Sequence, residues 1–370
     1  LESSSAASDV YKRQVKQLKD SGALILGKNN LSEWANYFCF GCPNGYSAMG
    51  GQTLHPYGRK ILDTGGSSSG SGVSTTSNLA AASLGSETSG SILSPSSANS
   101  IVGMKPTIGN VSRAGIVPIS STLDTAGPMT KFVIDNILIY NAINDFDPLD
   151  DYSVENYDIK IKEVVENKLE EYTIGYYKSF YERDSLYKNA IDFLIEEGVK
   201  LQAIDAPQIR LEGFAKILDE DMRYDLRSYL FFYVSKNLKV EDISSIIKYN
   251  EMDSVERAPY GQGIFKKIIQ DTMTINDFED LKFELMNKGN EFFDIPMNKY
   301  NLDAVLSINN YHAGYAAMAH NPCLTVPMKI RENNEPAGLT IIGKSFQEQK
   351  LYEIGYFFEK KYKGRIPPKN

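Results

Sequence analysis

The sequence predicts an α/β fold, with a mixed central β-sheet covered by helices on both sides and a helix-rich cap insertion. Two observations lead there. Short apolar, strand-like runs alternate with segments of helical periodicity over roughly the first 145 residues, and strand patterns return after residue 300, so both ends of the chain feed one sheet. Between them, residues 146–300 are rich in Glu, Lys and Tyr at helical spacing. With 370 residues, 42% of them hydrophobic, the chain can bury a substantial core.

Leu1 to Gln14 (LESSSAASDVYKRQ) are small and polar, show no apolar period and lack the apolar stretch of a signal peptide. They read as a junction-like, non-native segment, with the folded domain spanning 15–366. A helix ends after Val15-Lys16-Gln17-Leu18, a short strand is expected at Ala23-Leu24-Ile25-Leu26, and a second helix near Leu31 to Tyr37. A Gly/Pro-punctuated loop runs from Gly41 to Arg59. The apolar run Leu79 to Leu84 reads as a buried element, Ile101 to Pro106 as a strand closed by proline, and Ser120 to Thr130 as a loop carrying Asp124 and Gly127-Pro128. Within the cap, Tyr172 to Tyr177 is strand-like and Leu186 to Gly198 helical. The aromatic stripe from Tyr224 to Tyr233 reads as core or as a pocket wall. Strands return at Ala304 to Leu306, Cys323 to Pro327 and Leu339 to Gly343, before an amphipathic helix near Gln347 to Tyr362.

A net charge of -8 gives no broad attraction to phosphate backbones or anionic lipid, which argues against nucleic-acid or membrane-surface binding. No apolar run reaches the length of a membrane-spanning helix. Three cysteines are too few for a disulfide framework. Cys39-Phe40-Gly41-Cys42 has metal or redox spacing, but no second pair completes four ligands, so two small buried thiols are expected. A reducing, cytoplasmic setting fits that count.

The most informative stretch is Thr64-Gly65-Gly66-Ser67-Ser68-Ser69-Gly70-Ser71-Gly72, followed by Gly85-Ser86-Glu87-Thr88-Ser89-Gly90-Ser91-Ile92. Glycines on either side let main-chain N–H groups approach a ligand and present a serine to a carbonyl. A hydroxyl is a poor nucleophile until a neighbour takes its proton. Ser91 is the candidate nucleophile, Ser67 a candidate proton relay, and the Thr88-Ser89-Gly90 turn a source of N–H groups for an oxyanion. Structural roles stand beside these: Ser91 as the cap of a helix entered at Ile92, Ser67 as a turn residue. The run Gly66 to Gly70 also fits G-x-S-x-G, with His312 or His320 as base, yet no apolar strand leads into it. His312, within Tyr311-His312-Ala313-Gly314-Tyr315, reads as pocket wall or core. Lys28 and Lys105 read as surface or structural ion-pairing residues. No phosphate-binding G-x-x-x-x-G-K-[ST] occurs.

Together, Gly66 to Ser71, Gly85 to Ile92 and Val102-Gly103-Met104-Lys105-Pro106-Thr107 resemble the amidase signature family. The likeness extends through Gly27 to Asn36, Gly51-Gln52-Thr53, Val111-Ser112-Arg113, Asp124 to Met129 and Leu324-Thr325-Val326-Pro327, and its wording is closest to the peptide amidase branch. The resemblance implies the amidase signature fold and a Ser-Ser-Lys triad that acts on a small-molecule or peptide amide without metal or organic cofactor. Carried over by position, Ser91 becomes the acyl-forming nucleophile and Ser67 the bridging serine after a cis peptide. Thr88, Ser89 and Gly90 become the oxyanion loop, with Ser68 beside them on the substrate side. Ser89 departs from the glycine most members have. The family's lysine lies upstream of the stretch matching Gly27-Lys28, outside this sequence, so little turnover is expected from these 370 residues. Two other classes fit the same resemblance: the glutaminase subunit of a tRNA-dependent amidotransferase, which needs a subunit interface, and a catalytically silent binding protein. A homodimer is compatible with each.

Overall fold

The computed structural model describes residues 13–155, 157–234, 237 and 239–369. The expected junction falls mostly on residues 1–12, outside the described residues, but its last two belong to the fold. Arg13 and Gln14 open helix α1 (Arg13–Asp20), where Gln14 is buried and Arg13 pairs with Asp145.

A 3-10 turn (Glu33–Asn36) and the two-residue strands β1 (Tyr46–Ser47) and β2 (Gly51–Gln52) lead into α2 (Ser69–Thr76), β3 (Ala82–Glu87), α3 (Leu93–Ala98), β4 (Val102–Lys105), β5 (Thr125–Thr130) and α4 (Val133–Ile143). Next come α5 (Ile161–Glu166), β6 (Thr173–Tyr177), α6 (Lys178–Arg183), α7 (Ser185–Glu196) and β7 (Lys200–Ile204). A helical stretch follows: α8 (Phe214–Tyr233), α9 (Ile243–Glu251), α10 (Ser254–Arg257), α11 (Gly263–Gln270) and α12 (Ile275–Tyr300). The chain closes with β8 (Ala304–Ile308), α13 (Ala313–Met318), β9 (Cys323–Ile330), β10 (Pro336–Ile342) and α14 (Glu348–Tyr362).

The sheet is mixed and eight-stranded, in the order β3-β5-β4-β9-β10-β8-β6-β7. Its pairs are antiparallel from β3 to β8 and parallel from β8 through β6 to β7. Alternation along β8 sorts its side chains: Ala304, Leu306 and Ile308 join one core with α4, α7 and α14, while Val305 joins another with α3, α12 and α13. Small residues let α3 sit unusually close to the second face. A Cβ at Gly103 would stand 2.1 Å from Ser96 Oγ, and one at Gly338 2.4 Å from Ser97 Oγ.

Several expectations are corrected. Residues 23–26 form no strand, since no neighbouring strand pairs with them among the described residues; Leu24 is 88% exposed and Leu26 75%. The expected helix at 31–37 is the 3-10 turn, because Trp34, Ala35 and Asn36 take left-handed φ values of 47°, 54° and 69°. Tertiary contacts override propensity there: Ser32 N–H donates to Ser67 O, and Trp34 packs edge-on against Phe265. Of the run 79–84, only Ala82, Ser83 and Leu84 enter a strand, and Leu79 is exposed. The expected loop at 120–130 ends in the fully buried strand β5. Pro128 is accommodated because β5 pairs with β4 only at Thr130 and Met129, so no position paired with β4 lacks an N–H.

Within residues 146–300, β6 and β7 extend the central sheet, and α5 to α12 supply the helices. In α8 the aliphatic residues Ile217, Met222, Leu226 and Leu230 are buried, while Tyr224, Phe231, Phe232 and Tyr233 face outward, so the aromatic stripe is not core. Cys39 and Cys42 are joined as a disulfide rather than left as thiols; the intervening turn, with Gly41 at φ 77°, sets their Cα atoms 5.6 Å apart. Cys323 is free and buried. Among the described residues no helix is long and apolar enough to cross a membrane.

Candidate active site

Strand β3 ends at Glu87 and helix α3 begins at Leu93, so residues 88–92 must turn the chain within a few residues. Glu87 organises the turn. Its Oε2 accepts from Ile92 N (2.7 Å) and Leu93 N (2.9 Å), capping α3 with a carboxylate where orphan N–H groups and the helix dipole favour one. Burial raises the Glu87 pKa, opposed by those two N–H groups and the Lys105 charge. Gly90 takes φ 93°, and a Cβ there would stand 2.8 Å from Asn310 Nδ2, so the turn requires glycine for both conformation and space. Ser91 is half-buried at the end of this turn. It is not the helix cap, because Ile92 holds that position.

The serine run lies against the turn. Ser68 N–H donates to Ser91 O at 3.2 Å, and Gly66 N–H to Ser94 Oγ at 3.4 Å, so main-chain contacts set residues 66–68 beside residues 91–94. The Gly66–Ser67 peptide is cis, and Ser67, 1% exposed, accepts at its carbonyl from Ser32 N (3.0 Å) and Ser69 N (2.8 Å). A Cβ on Gly66 would stand 2.3 Å from Asn44 Oδ1. The Ser68 hydroxyl donates to Ser86 O (3.1 Å) and accepts from Ser86 N (3.2 Å), and Ser71 Oγ donates to Leu84 O (2.7 Å). These hydroxyls line the edge of β3 that has no partner strand among the described residues.

On its other side the turn meets Asp124. Thr88 Oγ1 donates to Asp124 Oδ1, while Oδ2 accepts from the N–H groups of Ile119 and Ser120, each at 2.9 Å. Burial pushes this carboxyl up to about 6, against the pull of its three donors and Arg113. Glu87, Asp124 and Asn310 were not singled out from the sequence. An acid just before a helix start is a recognisable pattern for Glu87; Asp124 and Asn310 reach the turn only through the fold.

The remaining candidates sit elsewhere. Lys105 is fully buried, contrary to a surface role, and donates Nζ to Asn321 O at 2.8 Å; burial lowers its pKa, opposed by Cys323, Glu87 and Glu348. His312 is buried with Nδ1 2.8 Å from Ser307 Oγ, and burial lowers it to about 3, so it is neutral core. His320, lowered to about 4 by burial, is likewise neutral. Lys28 is exposed. Among the described residues no group of three or more His, Cys, Asp or Glu side chains is placed to hold a metal ion.

A cleft of about 710 Å³ opens on the far side of α13, lined by Gln208, Arg210, Glu212, Lys288, Tyr311 and Tyr315 among others. Next to its lining residues Tyr311, His312 and Tyr315, Gly314 packs against the turn: a Cβ there would stand 3.7 Å from Ser89 Oγ and 3.9 Å from Leu211 Cδ1.

The chain as a whole has counterparts among known proteins. The Amidase family pattern matches residues 7–307. A probable amidase of Arabidopsis thaliana is 33% identical over 381 residues, covering 96% of this chain and 71% of that protein. An amidase family protein from Bacillus anthracis superposes with a TM-score of 0.92 at 35% identity, covering 98% of this chain and 73% of the other. The peptide amidase of Stenotrophomonas maltophilia superposes at 0.87 with 30% identity, over 96% of this chain and 77% of the enzyme. With the motifs, the sheet and these matches in agreement over nearly its whole length, the chain belongs to the amidase signature family.

Proposed function

We propose that this amidase-family protein cleaves a carboxamide or peptide amide through an acyl-enzyme on Ser91. The observation that carries the reading is the hydrogen bond from Ser68 N to Ser91 O, which holds the half-buried Ser91 against the run that contains Ser67. In the proposed reaction Ser91 Oγ attacks the carbonyl while Ser67 takes its proton and later returns it to the departing ammonia or amine. Main-chain N–H groups of Thr88, Ser89 and Gly90 stabilise the tetrahedral oxyanion, and water then hydrolyses the ester. The cleft beyond Gly314 is of a size that takes the remainder of a peptide-length substrate.

A base must stand behind Ser67. By the family resemblance that base is a lysine outside these residues, since Lys105 is committed to Asn321 O. The 370-residue chain is therefore expected to turn over slowly, with Ser91 nearly inert for want of a base. Two measurements test this. In a protein that supplies the lysine, Ser91→Ala should abolish hydrolysis of a peptide amide, and retention of most of the rate refutes the nucleophile. Hydrolysis of a peptide amide by the 370-residue chain at ordinary enzymatic rates would refute the external base.

A further inference from the structure

We propose that Asp124 is a positioning residue for the Thr88–Ser91 loop, and that helix α8 reaches that loop through it. The inference deepens the preceding one, because it gives the oxyanion loop its support and links that support to the helical cap.

The loop is held at both ends by carboxylates. Glu87 fixes its C-terminal end through Ile92 and Leu93, and Asp124 fixes its first residue through the Thr88 hydroxyl. Asp124 has no freedom of its own. It is buried and binds the turn at Ile119 and Ser120 with its other oxygen. That turn is gripped from α8 by two carboxylates one helical turn apart: Ser120 Oγ donates to Asp221, and Ser121 N donates to Asp225 at 2.6 Å. From the opposite side the Arg113 guanidinium donates to Ser121 O, and Arg113 is itself held by Asp150, with its main-chain N–H at 2.7 Å and Nε at 2.9 Å from Oδ2. Hydrogen bonds therefore run without a gap from α8 through residues 119–121 and Asp124 to Thr88. Because charge-assisted bonds are strong and directional, a shift of α8 reaches the loop instead of dissipating in soft packing.

The groups that face this path are Arg113 toward Asp124, Lys282 of α12 toward Asp221, the two α8 carboxylates toward each other, and Asp124 toward Asp225, whose carboxyl burial and these neighbouring charges push up to about 7. Protonation of Asp124 replaces a charged acceptor with a neutral one at Thr88, which weakens the hold on the loop.

Hydrogen–deuterium exchange of the 370-residue chain, read on peptides covering residues 86–93, tests the proposal without requiring turnover. Asp124→Asn and Thr88→Val should each speed exchange at 88–91 about tenfold or more, the loss of one charge-assisted bond, while exchange in β4 and β9 stays as in the parent. Thr88→Ser, which keeps the hydroxyl, should restore the parent rate. The double variant Asp221→Asn, Asp225→Asn should also loosen 88–91, although neither side chain touches the loop. In the parent, exchange at 88–91 corrected for intrinsic pH dependence should rise as pH falls through about 7 and 6, where Asp225 and Asp124 take up protons, and Asp124→Asn should shrink that rise; a rise left whole in Asp124→Asn overturns the Asp124 role.

Unchanged loop exchange in Thr88→Val overturns the Asp124 role even if Asp124→Asn fails to fold. Loosening in Thr88→Val with none in the α8 double variant overturns the link to the cap. Uniform loosening of the sheet together with the loop makes Asp124 merely structural and also overturns it. If Ser91→Ala keeps most of the amidase rate in a protein that supplies the lysine while the exchange pattern holds, the serine reading falls and the coupling stands.

Discussion

At the level of single residues the site depends on groups whose burial leaves no alternative partner. Lys105 is the sharpest case, an amine held in the core among Glu87, Glu348 and Cys323. Lys105→Met leaves Asn321 O without its donor and takes a favourable charge from the neighbourhood of Glu87, so chemical denaturation should show a loss of about 1–3 kcal/mol. Adding Glu87→Gln should recover part of it, because an amide oxygen can still cap α3 without a buried charge; a double-mutant cycle with no coupling would refute the electrostatic link. Gly90→Ala should lose about 1–2 kcal/mol from its left-handed φ alone, with further loss from the clash at Asn310. The tight turns at Gly66 and Gly90 were legible in the sequence because glycine marks where a backbone must bend or come close. Glu87 shows there only as an acid ahead of a helix, and the contact of Asp124 was hidden, since Thr88 stands 36 positions from it.

Among the elements, α3 owes its position to the absence of side chains beneath it. Gly338→Ala forces a methyl against Ser97 and should destabilise by about 1–3 kcal/mol, measured by thermal or denaturant unfolding. Helix α14 contributes a pH dependence. Its Glu359 accepts from Val133 N at the start of α4, and burial raises it from 4.5 to about 7. The folded state thus holds this proton more tightly than the unfolded chain. The contribution is greatest below pH 4.5 and is lost as pH rises through 7, so Glu359→Gln should raise the unfolding midpoint at pH 8 and flatten its fall between pH 5 and 8. Elements with a clean period, such as β8, α7 and α14, were readable. Those shaped by contacts were not: the 3-10 turn bends because Ser32 binds Ser67, and β5 is a strand despite Pro128 because it pairs with β3 along its whole length while Pro128 has no partner on β4.

Across the whole molecule, the prediction that both ends of the chain feed one sheet holds, as β3 to β5 and β8 to β10 lie side by side. That β6 and β7 would leave the cap and extend the sheet was hidden, because strand order is a property of packing and not of any local pattern. The unpaired run Leu24-Ile25-Leu26 offers three apolar side chains to solvent. Replacing Leu24 and Leu26 with Lys should change stability by less than about 0.5 kcal/mol yet lower the aggregated fraction on light scattering at high concentration. An unchanged fraction would show that these leucines are covered.

The serines that latch the outer margin of β3 belong to the run packed against residues 91–94. Ser68→Ala would therefore unzip a rim of peptide groups and slacken the neighbouring turn in a single stroke, so one hydroxyl guards the border of the sheet and the set of the loop together.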